Sequence, residues 1–388
     1  MTSPPRTITL RPVAAAFVVF GMYGGAFAVA AVDIERTFGL SDAQLGFLLA
    51  LGIVTATAVA AVGGAITDRW GAGPTLRRSL GAWGILLVAE AVAFRIGIFA
   101  VLFTLAVAIG GLLDVVMNVT AADALAQQPG KLVRFHGLWN AGCVLGAIVT
   151  GVVLRGGWSW RAAWVVIAVA AIAIAGTTRR SRVAEPPKVD HPSMLRALLG
   201  LRHEGLLVLG LVFGASAMVE GGIATWGILY LRGHLGLGVL AGVTAYVVGQ
   251  FLATAARVGG TPVVSRLGTR HSVVLGAGLA AGGIALEALC DIAGVAAVGL
   301  VAAGMGISVV WPLLIADVNN EARHPALAIG GVTACGYLGM VAGPPIVGSL
   351  SALFGLRIGL LVLAGVALFV ALTPAHVRAA APTNLEPA

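Results

Sequence analysis

Residues 64–78 read Gly64-Ala-Ile-Thr-Asp68-Arg69-Trp-Gly71-Ala-Gly-Pro-Thr-Leu-Arg77-Arg78. The run that leads into this segment, 43–66, holds no charged side chain, and the run that follows, 79–95, holds Glu90 and a terminal Arg95. A helix rises about 1.5 Å per residue, so about 20 apolar residues cross the hydrocarbon core of a bilayer. Asp68, Arg69, Arg77 and Arg78 thus read as a short polar loop between two membrane helices. Working outward from it, the same rhythm extends over the chain, with apolar stretches near 12–32, 43–66, 79–95, 98–122, 133–154, 159–177, 205–231, 239–262, 272–290, 294–316, 325–350 and 356–375. The expectation is an all-α membrane protein of twelve transmembrane helices.

Composition agrees. Hydrophobic residues make up 59% of the chain and charged residues 10%, against roughly a quarter charged in an ordinary soluble domain. That is too little charge to solvate a globular surface. Glycine is frequent, 55 of 388 residues, which suits helices that approach closely in lipid. The N-terminus resembles a signal peptide, with Arg6 and Arg11 before an apolar run. That run is longer than a signal core, so it reads as an uncleaved first span. Cys143, Cys290 and Cys335 are scattered through the spans and read as packing residues, with neither a disulfide framework nor a metal site.

Loop charge sets the orientation. With an even number of spans both termini share a side, and the loops on that side hold 17 of the 24 Lys and Arg. The opposite loops hold Arg36, Arg95, Arg155, Arg161, Arg232 and Arg357, while Arg257 falls inside the eighth span. The positive-inside rule then makes the protein multi-pass in the inner membrane with both termini cytoplasmic. The net charge of +8 needs no nucleic acid to explain it.

The longest cytoplasmic segment, 179–204, is basic and contains Pro186, Pro187 and Pro192. It divides the chain into an N-terminal bundle, 1–178, and a C-terminal bundle, 205–388. The halves resemble each other. Gly63-Gly64 recurs as Gly259-Gly260, and Asp68-Arg69-x-Gly71 as Ser265-Arg266-x-Gly268. Glu90 lies 22 residues after Asp68, and Glu287 lies 22 after Ser265. Gly110, Asp114 and Asp123 match Gly304, Ser308 and Asp317 at a constant step of 194, and Gly142, Gly146 and Gly151 match Gly339, Gly343 and Gly348 at 197. Two six-helix bundles related by an axis along the membrane normal are the plan of one large transporter class.

The loop Gly64-x-x-x-Asp68-Arg69-x-Gly71, followed by Arg77-Arg78, resembles the signature loop of the major facilitator superfamily. Asp114-Val-Val-Met-Asn118 and Phe135-His136-Gly-Leu-Trp139-Asn140 look like a bacterial branch related to sugar (fucose-type) permeases. So do Glu220-Gly-Gly-x-x-x-Trp226, Tyr337-Leu-Gly339 and Gly343-Pro-Pro345. The resemblance implies the major facilitator fold, alternating access, and a cavity lined by spans one, four, seven and ten. It also implies that Gly64, Asp68, Arg69 and Gly71 form a gating loop at the cytoplasmic face. The second copy of the loop has Ser265 in place of the aspartate. Span four lacks the arginine of many drug/proton exchangers and span five lacks their Gly-Pro motif, which leans against a drug exporter.

Ionisable groups in hydrocarbon are costly and usually face a cavity or the bundle interior. Asp114 and Asn118, one turn apart, share a face of span four. They read as a proton-coupling or substrate-contacting pair, or else as a helix-packing hydrogen bond. Glu220 near the middle of span seven is the matching carboxylate of the second half. Trp226 and Tyr230 follow it, as an aromatic face for a sugar-like solute or an amine, or as an interfacial belt. His136, with Trp139 and Asn140, is a candidate proton relay or an interfacial histidine. Arg257 needs a partner, Asp317 or Glu220, in a salt bridge that closes the inner gate; the rival reading is a clamp on an anionic substrate. Glu90 and Glu287 near the outer ends of their spans read as structural groups that reach the headgroups. Gly343-Pro344-Pro345 is expected to bend span eleven.

No phosphate loop, nucleophile elbow or metal-spaced His/Cys/carboxylate cluster occurs, so neither an enzyme nor a cofactor is expected. The expectation is a monomeric secondary transporter whose partners are the lipid bilayer, a small-molecule solute and protons, with proton-coupled uptake of a small polar, sugar-like solute first. Efflux of amphipathic or drug-like compounds is the alternative, and a non-transporting membrane sensor is the alternative of another class.

Overall fold

The computed structural model describes residues 10–125, 129–178, 198–202, 206–322 and 325–373. Most of the 179–204 segment lies outside the described residues, of which 198–202 are helical. The first helices are α1 (Arg11–Phe38), α2 (Asp42–Trp70), α3 (Ala72–Val92), α4 (Ile96–Ala124), α5 (Pro129–Arg155) and α6 (Trp160–Thr178). Then come α7 (Leu207–Leu229), continued by a π turn at Tyr230–His234, α8 (Val239–Gly259), α9 (Thr261–Leu289), α10 (Ala293–Ser308), α11 (Val310–Glu321), α12 (Pro325–Phe354) and α13 (Leu356–Leu372). Ten spans are long and apolar enough to cross a membrane, one of them running through α10 and the start of α11 as Ala293–Ile315. With α3 and the shorter apolar α13 they make the twelve that the sequence predicts. α12 runs on through Pro344 and Pro345 as one helix.

Local chemistry places the ends of these helices. α1 stops at Gly39, which takes the left-handed conformation (φ 64) and sends its N–H to the Glu35 carbonyl, a conformation glycine adopts without a Cβ penalty. α2 starts with a capping box: the Gln44 N–H donates to Ser41 Oγ at 3.3 Å, and the Ser41 N–H donates to Gln44 Oε1 at 2.9 Å. Gly71 ends α2 with φ 81 and ψ 149, and its N–H bonds the Thr67 carbonyl at 2.8 Å. Its repeat counterpart Gly268 interrupts α9 with φ 77 and ψ 163. The duplicated loop is thus duplicated in backbone shape, at the one position where only glycine is unstrained.

The chain forms two compact units, residues 1–191 with 228–250, and residues 192–227 with 251–388. In the first unit α1 lies against α5 so closely that a Cβ on Gly25 would stand 1.8 Å from the Cys143 carbonyl oxygen. One on Gly146 would stand 1.9 Å from that of Met22. In the second unit α7 meets α12 the same way, with a Cβ on Gly339 falling 2.0 Å from the Gly214 oxygen. The contacts obey the repeat: Gly142 faces Val18 where Gly339 faces Gly214, and Gly146 faces Met22 where Gly343 faces Met218. The first unit adds a run of rings, with Tyr23 at 5.4 Å from both Trp83 and Trp164, and Trp160 at 5.0 Å from Trp164. Such edge-on aromatic pairs stabilise beyond the area they bury.

Glu90 and Glu287 correct the sequence reading. Neither reaches the headgroups: both side chains are wholly buried inside their own unit. Glu90 Oε2 accepts a hydrogen bond from Trp164 Nε1 at 2.8 Å. Beside it Arg161 Nη1 caps the end of α3 by donating to the carbonyls of Ala91 and Ala93 at 2.9 and 2.6 Å. Position along a span identified the acids; which way they point depends on the neighbouring helices.

The close approach of α1 and α5 gives a direct test. Gly25→Ala is expected to destabilise the purified protein in detergent by about 1–3 kcal/mol or more, as overpacking does, seen as an earlier thermal transition. Gly97→Ala, where nothing lies within 4 Å of the added carbon, is expected to leave that transition in place.

Candidate functional site

In the first unit the polar centre lies on α4. Asn118 Nδ2 donates to Asp114 Oδ1 at 2.8 Å and to the Asp114 main-chain carbonyl at 2.9 Å. Both side chains are half-buried. The 3.6-residue period puts them one turn apart, and the amide clamps the carboxylate to its own helix. Among the described residues Asn118 is the hydrogen-bond partner of Asp114, and no cation approaches it.

Trp139 stands on α5 with its ring 5.1 Å from Phe20 of α1. Phe20 in turn packs where Gly110, one turn before Asp114, leaves room. Phe20 therefore joins the α4 and α5 candidates through apolar contact. Asn140 is half-buried on the same turn as Trp139. His136 lies on α5, and its side chain lies outside the described residues.

The second unit holds a different centre. Arg257 Nη2 of α8 donates to Glu220 Oε1 of α7 at 2.6 Å, with side chains 36% and 38% exposed. Arg257 Nε donates to the Ser308 carbonyl of α10 at 2.8 Å, and Ser308 Oγ donates to the Met305 carbonyl at 2.8 Å. Three helices thus meet at one guanidinium. Its planar fork suits this, because one edge takes a carboxylate while Nε serves a second acceptor. Of the two partners the sequence offered for Arg257, the ion pair is made with Glu220. Asp317 stands apart on α11, where burial raises its carboxyl above the usual range and a hydrogen bond from Thr269 opposes that shift. An ion pair one-third exposed is worth roughly 0–1 kcal/mol. Its effect is to fix geometry more than to hold the fold.

The aromatic candidates beside Glu220 are covered. Trp226 has no exposed surface and Tyr230 is 2% exposed, with the Tyr230 ring stacked on His234 at 5.7 Å. Neither faces open space in this conformation. The Trp226 indole nitrogen has no hydrogen-bond partner among the described residues.

The signature segment is helical up to its glycine: Gly64, half-buried, and Asp68 and Arg69, both exposed, lie on the last turns of α2 and not in a loop as the sequence suggests, and neither charged residue makes an ion pair among the described residues. Gly71 supplies the turn, and the Arg78 guanidinium lies 5.1 Å over the Trp70 ring.

Sequence reasoning missed one polar pair. Arg232, counted there among the outer-loop charges, is buried with its side chain 4% exposed, and Nη1 donates to Asp33 Oδ2 at 2.9 Å. The same nitrogen donates to the Val29 carbonyl, and the aliphatic stem packs where Gly242 of α8 has no side chain. Its position follows from the π turn 230–234, in which the Leu235 N–H reaches the Tyr230 carbonyl at 3.1 Å. Such turns cluster at functional sites, and hydropathy carries no signal for them.

Comparison with known proteins identifies the family. The family model described as Major Facilitator Superfamily matches residues 13–330. Membrane protein MosC of Rhizobium meliloti is 26% identical over 378 residues, 95% of this chain and 90% of that protein. An uncharacterised MFS-type transporter of Yersinia pestis is 28% identical over 356 residues, 88% of this chain and 89% of its own. Among solved structures, a bacterial homologue of the human lysosomal transporter Spinster superposes with TM-score 0.74 at 16% identity, covering 94% of this chain and 95% of its own. The D-xylose-proton symporter does so with TM-score 0.74 at 17% identity, covering 93% and 95%. The nucleoside transporter NupG gives 0.74 at 14%, covering 94% and 98%. The family match over residues 13–330, with ten helices among the described residues long and apolar enough to cross a membrane and a glycine turn between α2 and α3, shows that this chain belongs to the Major Facilitator Superfamily, whose members are membrane transporters and not enzymes.

Proposed function

We propose that this transporter takes up a small polar organic solute, sugar-like in its hydrogen-bonding groups, together with protons, by alternating access in the inner membrane with both termini cytoplasmic. The observation that carries this is the pair of polar centres, one in each unit, on helices otherwise apolar: Asp114–Asn118 on α4 and Glu220–Arg257 between α7 and α8. A carboxylate held by an amide and a carboxylate held by a guanidinium offer hydrogen-bond acceptors and donors to a polyhydroxyl compound. Asp114, with no cation beside it, is the group fitted to take a proton. Solved structures of the same fold include a D-xylose-proton symporter and a nucleoside transporter, which supports a polar solute of this class.

The remaining candidates take supporting roles. Trp139 and Asn140 border the first centre, and His136 relays protons toward it from the cytoplasmic end. Trp226 and Tyr230 contact solute only in a conformation that uncovers their rings. Gly64, Asp68, Arg69 and Gly71 latch the cytoplasmic face, Asp317 belongs to the gating residues of the second unit, and Arg257 closes on Glu220. The bundles 1–178 and 205–388 move as the rocking bodies, joined by 179–204, and a single chain suffices.

Counterflow in proteoliposomes with a panel of labelled sugars, polyols and nucleosides at several pH values tests the reading. Exchange of at least one of them is expected, with accumulation driven by an inward proton gradient. Asp114→Asn is expected to abolish that accumulation; wild-type accumulation and affinity in the variant would sink the assignment of Asp114.

A charge exchange tests the role of Arg257. Arg257→Glu alone is expected to stop transport, and the double variant Glu220→Arg, Arg257→Glu to restore it in good part. A double variant as inactive as the single one, yet folded, points instead to Arg257 acting as a clamp on an anionic solute.

A further inference from the structure

Glu287 on α9 is a carboxyl group that the transport reading does not use. It has no exposed surface, and neither of its oxygens has a hydrogen-bond partner among the described residues. Its repeat counterpart Glu90 is served differently, by the Trp164 indole at 2.8 Å and with the Tyr23 hydroxyl beside it. The repeat shows what became of those donors. The step of 196 that takes Met22 to Met218 takes Tyr23 to Val219, and the same step that takes Arg161 to Arg357 takes Trp164 to Leu360. Val219 and Leu360 are wholly buried. In the second unit both of these positions are aliphatic, beside an acid of the same type.

The surroundings supply no counter-charge. α10 and α13 pack along α9, and α10 has no titratable side chain. α13 has Arg357, which pairs with Asp291. α11 has Asp317 beside Thr269, at the opposite end of α9, and Glu321 beyond it. α7 brings Gly227 against the carboxyl: a Cβ there would lie 3.3 Å from Glu287 Oε1 and 2.4 Å from Leu300. The titratable group of α7 on that face is Glu220, two turns away and about 10 Å along the axis, and it is paired with Arg257. An ionised carboxylate with neither hydrogen bond nor counter-ion in an apolar interior is so costly that the group takes up a proton instead.

We infer that Glu287 is a second proton-binding site of this transporter, a carboxylic acid that keeps its proton while Gly227 of α7 covers it and releases it to water when α7 and α9 part. The proton leaves as hydronium and the negative charge stays on the carboxylate, which returns to the apolar site only after taking a proton back. Because α7 also carries Glu220, the proton on Glu287 and the solute site are linked through one helix. The link to flux rests on the transport reading of the previous section; the presence of the proton does not.

Infrared spectroscopy of the reconstituted protein at neutral pH separates the two. Glu287→Gln is expected to remove the carbonyl band of one protonated carboxyl group; loss of carboxylate bands instead, with the protonated band intact, overturns the inference. Should that variant not fold, Glu287→Asp keeps the acid one methylene shorter and is expected to shift the same band, and a band unmoved overturns it equally. In proteoliposomes Glu287→Gln is expected to keep solute counterflow and lose accumulation driven by a pH gradient, whereas accumulation that still follows the gradient as in wild type refutes the coupling. If the wild type exchanges nothing in the panel, the transport reading fails while the infrared result still decides whether Glu287 holds a proton.

Discussion

Hydrocarbon offers no hydrogen bonds, and that one constraint organises the molecule. Each backbone N–H and C=O in a span has to be satisfied within its own helix, so among the described residues the regular structure is helical. The same constraint then acts on side chains. A polar group inside a span finds a partner on its own helix, as Asp114 finds Asn118, or on a neighbour, as Glu90 finds Trp164 and Glu220 finds Arg257, or else sheds its charge as inferred for Glu287. Packing supplies the rest. Lipid tails are as apolar as leucine and give helices little reason to associate, so the contacts at Gly25 and Gly339 matter because they bring backbones together. A side chain at either place would hold the helices apart.

The two halves of the sequence share spacing in one frame and carry different chemistry within it. The frame survives where geometry demands it: Gly71 and Gly268 share a backbone conformation, and Gly146 and Gly343 face the same methionine position on the partner helix. It diverges at the polar sites. Asp114 of the first unit corresponds to Ser308 of the second, whose carbonyl now anchors Arg257. The first unit therefore presents an acid without a counter-charge, and the second an acid locked to a guanidinium.

The fold was legible in the sequence because it rests on signals of long range along the chain. Runs of about 20 apolar residues, the charge of the loops and the glycine spacing each average over many positions, and a wrong reading at one does not change the sum. The sites were legible only in part. Asp114 and Asn118 share a face by helical period alone, so their hydrogen bond follows from the sequence. Arg257 needed a partner, the sequence offers both Asp317 and Glu220, and only the three-dimensional placement of α7 beside α8 decides between them. Glu90, Glu287 and Arg232 were misjudged for one reason. Depth along a span is written in the sequence, whereas direction around the helix axis depends on neighbours that the sequence places poorly.

Arg232 shows how much rests on that second coordinate. α7 and α8 are divided between the two compact units, with residues 228–250 in the first and the remainder of both helices in the second. Each unit therefore holds one ion pair from this stretch: Glu220–Arg257 joins α7 to α8 within the second, and Arg232–Asp33 joins the π turn to α1 within the first. The two ties differ in kind. The Glu220–Arg257 pair is one-third exposed, so water compensates when it opens and the energy involved is small. The Arg232 guanidinium is buried, and stripping away one partner of a buried pair leaves a desolvated charge at a cost of about 3–5 kcal/mol. The two are therefore unequal anchors: the exposed pair contributes little to holding the second unit together, whereas the buried one, carried by the π turn, is costly to separate.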